Sequence, residues 1–265
     1  MPTRAEKPSA DGNRSSLSKA LSLMVIIAER GQNGMTLSAA AKRADIHVAT
    51  AHRLLTSLVE EDFLNFDPYT KRYCLGLMPY EIVTRAGHDL EFLVLRKTLH
   101  PILERAQAEV SGIVCMSVES RGEALCVDLV EGQSDILVNT LKVGARRPLG
   151  AGAASLALLA VRGEAEREAI IRKESERYLK YGRLTADIVR AACASLARDG
   201  FVLNDAVIIP DIGAVAVPVF AQGAVVCAVS VTNTISRLYP ERRREIARVL
   251  TQAVRAAGFQ TLDVA

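Results

Sequence analysis

The sequence predicts an α+β chain of two domains, helices leading and a mixed sheet following. Three observations carry this. At 265 residues the chain is longer than the roughly 100–150 residues that one domain most often takes. Its N-terminal quarter places apolar residues at the helical period of 3.6, which drops to the strand period of 2 near Phe63. Beyond residue 111, strand-like and helical runs are interleaved, as in a sheet flanked by helices.

Residues 1–14 are polar and rich in Pro, Gly and Ser, with no apolar segment of the kind a signal peptide needs, so they read as a disordered tail. Hydrophobic residues make up 49% and charged residues 24% of the chain. No apolar run approaches the roughly 20 residues that span a bilayer, so the expected location is the cytoplasm, with no membrane partner. A net charge of +3 permits nucleic-acid binding without arguing for it.

Three helices are expected first. "SLSKALSLMVIIAERG" carries Leu17, Leu21, Met24, Val25 and Ala28 on one side and stops at Gly31, a suitable C-cap. "TLSAAAKRADI" follows, with Thr36 as its N-cap and alanines favouring helix. The third helix starts near Val48 in "DIHVATAHRLLTSLVEEDFLNFD". Its apolar residues Ala51, Leu54, Leu55 and Leu58 share one face, and the other carries Thr50, His52, Arg53, Thr56 and Ser57 in place of the usual Glu/Lys mixture. "FLNFDPYTKRYCLG" then alternates about the turn formers Asp67 and Pro68, a β-hairpin. Three helices and a hairpin over 15–77 make a winged helix-turn-helix.

Residues 78–91 read as a linker helix region, and 92–261 as the second domain. The helical stripe of Leu90, Leu93, Val94, Leu99, Ile102, Leu103 and Ala106 is interrupted by Pro101, which should kink the helix or begin a new one. Strands are expected in "GIVCMSVES", "EALCVDLVE", "ILVNTLKVG", "FVLN", "GAVAVPVF" and "AVVCAVSVTN". Helices are expected in "GAASLALLAVRG", "EAEREAIIRKESERY", "TADIVRAACASLARDG" and "YPERRREIARVLTQAVRAAG".

A helix-turn-helix sets the start of its second helix against base edges in the major groove, where bulky or acidic side chains clash with or repel the duplex. That explains the small polar face of the third helix. His47 stands at its entry, Thr50 and Arg53 suit phosphate or base contacts, and Val48, Ala49 and His52 suit base edges. Lys71 and Arg72 near the hairpin tip suit phosphate or the minor groove, or else a solvated hairpin.

The second domain offers little catalytic chemistry. The four histidines are His47, His52, His88 and His100, so no histidine-based dyad can form beyond residue 100, and neither a P-loop nor a dinucleotide fingerprint occurs. The expected reading is a non-enzyme with no cofactor and no metal. Cys74, Cys115, Cys126, Cys193 and Cys227 form no C-x-x-C pair and read as free core thiols. Glu164, Glu166 and Glu168, and the "ERRRE" run, read as solvated helix faces. "GAGAAS" (150–155) suits either close approach of a ligand or tight helix packing.

"RLLTSLVEEDFLNFDPYTKRYCLG", "RRPLGAGAASLALLA", "DGFVLND" and "GAVAVPVFAQGAVVCAVSVTNTISRL" resemble, in this order, segments of IclR-type transcriptional regulators, over Ser16 to about Gly258. The resemblance implies a winged helix-turn-helix on double-stranded operator DNA, a linker helix, and a GAF-like α/β effector-binding domain, assembled as homodimers or tetramers and acting on catabolic genes. It places Ala153, Ala154, Asn204, Ala214, Ser230 and Thr232 against the effector, with Met116 and Leu141 as apolar lining. Asn204-Asp205-Ala206-Val207 and Ala214 depart from the acidic run and the cysteine that many relatives carry. The expected effector is therefore an organic acid with an apolar or aromatic body, held by backbone N–H groups near Ala153 and Ala154 and by Ser230 and Thr232. An oligomerising DNA-binding protein without effector and an enzyme fused to a DNA-binding domain are the alternatives.

Overall fold

The computed structural model describes residues 14–86, 91–132 and 141–265. Residues 1–13 of the expected tail, and 136–140 of the expected "ILVNTLKVG" strand, lie outside them. The chain divides into two compact units, Met1–Asp89 and Leu90–Ala265.

In the first unit, α1 (Ser16–Ala28) is capped by the Ser15 hydroxyl, which accepts the Ser18 N–H at 3.1 Å. Leu23 and Ile27 are its buried residues, whereas Leu17, Leu21 and Val25 are exposed, so the expected inward face is corrected. The helix is apolar nearly all round, and packing on its neighbours selects the face that periodicity left open. α2 (Leu37–Ala44) buries Ala40, Ala41 and Ala44, whose small side chains let it lie close to α1 and α3. Thr36 stands at its N-cap position without making the capping bond. Asp45 ends it in the left-handed conformation (φ 54°), and α3 (Val48–Glu60) begins three residues later. Strand β1 (Met35–Thr36) pairs with β3 (Arg72–Leu75), and β3 with β2 (Leu64–Asp67), all antiparallel. Phe66 and Tyr73, directly opposed in that hairpin, stack with centroids 4.8 Å apart. Helix α4 (Met78–Ala86) closes the unit's described residues.

The second unit is a six-stranded antiparallel sheet between two helical layers. Its strands are β4 (Ile113–Ser120), β5 (Glu123–Val130), β6 (Arg146–Pro148), β7 (Val202–Ile209), β8 (Ile212–Ala221) and β9 (Ala224–Thr234), in the order β6-β5-β4-β9-β8-β7. Helices α5 (Glu91–Val110) and α9 (Pro240–Ala256) cover one face, with Leu99, Leu103, Ile246 and Leu250 packed on Val215, Val217, Val229 and Val231. Pro101 neither ends α5 nor starts a new helix, since burial of Leu99 and Leu103 on either side carries the helix across the one missing N–H. Helices α6 (Ala153–Ala160), α7 (Glu164–Tyr178) and α8 (Ala186–Asp199) form the opposite layer.

Side-chain size separates the two faces. Along β8 and β9, Val215, Val217, Val219, Val229 and Val231 point toward α5 and α9, while Ala214, Ala216, Ala228, Ser230 and Thr232 point the other way. Small residues on that face let α6, buried on every residue, approach the sheet and leave a hollow beside its first turn. Met116 belongs to the valine face, opposite Val229 in the ladder, so its expected place against an effector is corrected: Cys115 and Ser117 face the hollow instead.

Candidate functional site

The first candidate surface is α3. Ala51, Leu54 and Leu55 anchor it, and Val48, Ala49, His52, Arg53, Thr56 and Ser57 are exposed on its other side, with Thr50 half-buried. His47 is the N-cap, its Nδ1 accepting the Ala49 N–H at 3.3 Å. The Arg53 guanidinium makes no hydrogen bond or ion pair among the described residues. A flank of small, neutral groups beside one arginine is thus presented on a rigid, buried spine.

At the wing tip Asp67 accepts the Tyr69 N–H at 2.8 Å and the Thr70 hydroxyl at 2.5 Å, and the Thr70 bond holds its carboxyl below the usual pKa. Lys71 takes the left-handed φ of 55° that lets the hairpin reverse. Arg72 points elsewhere than the tip: its Nη1 donates to the carbonyls of Asn33 (3.1 Å) and Gly34 (3.3 Å), pinning the wing to the turn after α1. The wing thus presents Lys71 and the fully displayed Tyr69, 94% exposed.

The second candidate site is the hollow beside α6, whose unfilled space together with its open mouth is about 600 Å³. Leu141, Ala153, Ala154, Asn204, Ala214, Ser230 and Thr232 line it together. Strand register explains why: Thr232, Ala214 and Asn204 lie side by side across β9, β8 and β7, and Ser230 lies opposite Cys115 of β4. The first intrahelical bond of α6 is Leu156 N–H to Gly152 carbonyl (2.8 Å), so the N–H groups of Ala153 and Ala154 precede the ladder at the cavity wall. The turn leading in is braced from below, where the buried Tyr178 hydroxyl donates to the Leu149 carbonyl at 2.6 Å. A Cβ at Gly150 (φ 97°) would come 2.9 Å from that hydroxyl.

Sequence reasoning missed several lining residues. Ile208, Ile209 and Ile212 form an apolar wall where β7 turns into β8. Cys115 and Cys126 sit on adjacent strands and share a hydrogen bond, which raises the pKa of Cys115 and lowers that of Cys126. All five cysteines are free thiols, four of them buried. Arg147 is the cation of the described lining, and burial lowers its pKa. Its neighbour Arg146 turns outward and donates to the Ser120 carbonyl at 2.8 Å, as alternation along β6 requires. That alternation was the available signal, but β6 is only three residues long.

The charged helices are structural. Arg242 donates to the Val110 carbonyl (2.9 Å) and pairs with Glu245 (2.7 Å), while Arg243 pairs with Asp205 (3.0 Å). Glu168 is held by Arg190 at 2.6 Å. Among the described residues no group of three His, Cys, Asp or Glu side chains could hold a metal, and no helix is long and apolar enough to cross a membrane.

Comparison with known proteins adds two family matches. The IclR helix-turn-helix domain matches residues 16–68, and the bacterial transcriptional regulator IclR C-terminal domain matches residues 88–258. The HTH-type transcriptional regulator KipR of Bacillus subtilis (strain 168) is 26% identical over 229 residues, covering 85% of this chain and 88% of its own. The transcriptional repressor IclR of Escherichia coli (strain K12) is 23% identical over 261 residues, 95% of this chain and 93% of its own. Among solved structures, an IclR transcriptional regulator from Alicyclobacillus acidocaldarius superposes with a TM-score of 0.75 at 21% identity, covering 92% of this chain and 98% of that one. An IclR homologue from Microbacterium hydrocarbonoxydans, solved with 4-hydroxybenzoate, gives 0.73 at 24% identity, covering 91% and 100%.

Proposed function

Since the chain belongs to the IclR family of bacterial transcriptional regulators, we propose that it binds operator DNA through α3 and the wing, and that a small organic acid in the α6 cavity sets that affinity. The single observation behind the DNA contact is the exposed flank of α3 from Val48 to Ser57, which carries no acidic group over a buried spine, Glu60 following only at the helix end. Thr50 and Arg53 take phosphate or base contacts, Val48, Ala49 and His52 read base edges, and Lys71 meets phosphate from the wing. Arg72 contributes by fixing the wing, and to DNA only through nitrogens not bonded to the 33–34 carbonyls.

The working unit is a homodimer or a pair of dimers in the cytoplasm. Leu17, Leu21 and Val25, spaced at i, i+4 and i+8 on α1, form an exposed apolar stripe that supports pairing with a second copy. Two recognition helices match half-sites about one helical turn apart, roughly 34 Å, only at one separation. An effector that shifts this separation therefore changes operator affinity. The genes controlled would be those that consume the acid. The acid class rests on the neutral hydroxyl and amide groups and the apolar wall of the cavity, together with the α6 N–H groups.

The test is salt-dependent binding to a duplex selected by the protein from a random pool, with and without a panel of acids headed by 4-hydroxybenzoate and including pyruvate and glyoxylate. An aromatic or long-chain acid is expected to change affinity, and a preference for glyoxylate or pyruvate would reject the proposed body of the ligand. In the same titration Lys71→Gly, which suits φ 55°, should lower the slope of log K against log salt by about 1 per copy. An unchanged slope would remove the wing from the DNA contact.

A further inference from the structure

Cys115 of β4 and Cys126 of β5 are buried from bulk solvent, yet both open into the hollow beside α6. The ladder explains why they meet. Ser117 lies opposite Cys126, and Cys115, two residues along β4, shares the face of Ser117, so the two thiols are diagonal neighbours across one strand pair. The Cys115 thiol donates to the Cys126 sulfur, and the Cys126 thiol donates to the Asp128 carbonyl at 3.4 Å. Diagonal Cα atoms stand roughly 7–8 Å apart in a regular ladder, whereas a disulfide usually takes about 5.5–6 Å. The register shift between Met116 and Ser117 lies within this diagonal and supplies slack for so small a closure.

The other thiols are placed differently. Cys193 and Cys227 lie in packed apolar clusters, where burial pushes the pKa of Cys193 up to about 11 and that of Cys227 upward as well. Cys74, on β3 of the first unit, donates to the Gln32 carbonyl at 3.7 Å. Cys126 is shifted the other way by the hydrogen bond from Cys115, toward the thiolate with which peroxides react. We propose that Cys115 and Cys126 are a peroxide-oxidised pair that closes to a disulfide in the wall of the hollow. The Cys126 sulfur attacks one oxygen of hydrogen peroxide, the O–O bond breaks, and the departing hydroxide leaves as water with the Cys126 proton, so that a sulfenic acid remains. The Cys115 sulfur then attacks the sulfenic sulfur, the S–O bond breaks, and a second hydroxide leaves as water with the Cys115 proton. Two thiols lose two electrons, and one hydrogen peroxide becomes two waters. The disulfide has no hydrogen to give the Asp128 carbonyl. It therefore alters β5 where the Asp128 carboxylate holds Arg96 (3.2 Å) and His100 (2.7 Å) of α5.

The experiment is peptide mapping of the full chain after brief treatment with a modest excess of hydrogen peroxide and alkylation of the remaining thiols. Trypsin cuts after Arg121, between the two cysteines, so the disulfide joins fragments 106–121 and 122–142. Wild type should yield the joined pair, and dithiothreitol should separate it. In Cys115→Ser, dimedone should trap a sulfenic acid at Cys126 at least about tenfold faster than at Cys193 or Cys227. In Cys126→Ser, Cys115 should stay reduced. Thermal unfolding checks both serine variants, and the wild-type map decides by itself where a variant fails to fold. Recovery of Cys115 and Cys126 as thiols from a chain whose Cys74 is oxidised would overturn the proposal, as would joined fragments that form only in urea.

Discussion

Arg53→Glu is expected to reduce operator affinity at least about 100-fold while leaving the fold and effector affinity as they are. The guanidinium is exposed on α3 and engaged by no described residue, so its loss removes no intramolecular bond. Ala49, Thr50, Thr56 and Ser57 lie one turn away on either side, so a new carboxylate meets no like charge within a turn of the helix. Against DNA the change has two parts. One phosphate or base contact disappears, and a negative charge is brought against the backbone, a juxtaposition that costs several kcal/mol. Fluorescence anisotropy at fixed salt measures the loss, and thermal unfolding checks the fold. Affinity within a factor of three of wild type would remove Arg53 from the interface.

Leu55→Ala is expected to act through stability. Leu55 is fully buried among Leu23, Ile27, Ala41 and Leu64 in the small core of the first unit. Deleting a buried leucine side chain costs about 2–5 kcal/mol through lost transfer energy and the cavity left behind. A domain holds only roughly 0.05–0.15 kcal/mol of stability per residue, so this change takes a large share of what a unit of this size has. Differential scanning calorimetry should show a transition lowered by about 10 °C or more, with the second unit's transition and acid binding retained. The two substitutions thus separate: Arg53→Glu loses DNA binding at full stability, and Leu55→Ala loses both. Loss of acid binding in Leu55→Ala would show that the two cores are not independent.

Much of the fold was legible because its signals are local. The period of α3, the Asp67–Thr70 turn and the alternation of β8 and β9 each follow from neighbouring residues, whereas Ala153, Ala154, Ala214, Ser230 and Thr232, which line the hollow together, were placed by the family resemblance alone, the segment 150–155 by itself suiting helix packing equally well. What failed depends on contacts distant in sequence. Helix α1 is apolar on several sides, so only packing by α2 and α3 chooses Leu23 and Ile27 over Leu17 and Leu21. In β4 residues 113–117 are all buried, which erases the alternation that would have placed Met116, and a register shift between Met116 and Ser117 breaks the count further. β6 is three residues at the sheet edge whose strand conformation is set by pairing with the distant β5, so Arg147 could not be read as facing inward. Pro101 marks a break in an isolated helix but not in one whose two sides are anchored in a core.

The central claim is that the flank of α3 carrying Val48, Ala49, His52 and Arg53 enters the major groove. Photo-cross-linking from a benzophenone amino acid placed at position 49, on the full chain bound to its selected duplex, tests it most directly, with the same probe at position 164 as reference. The expected result is cross-links from position 49 confined to bases of two half-sites about 10 base pairs apart, and none from position 164. Cross-links from position 49 to protein alone, or DNA cross-links no different from those at position 164, would contradict it.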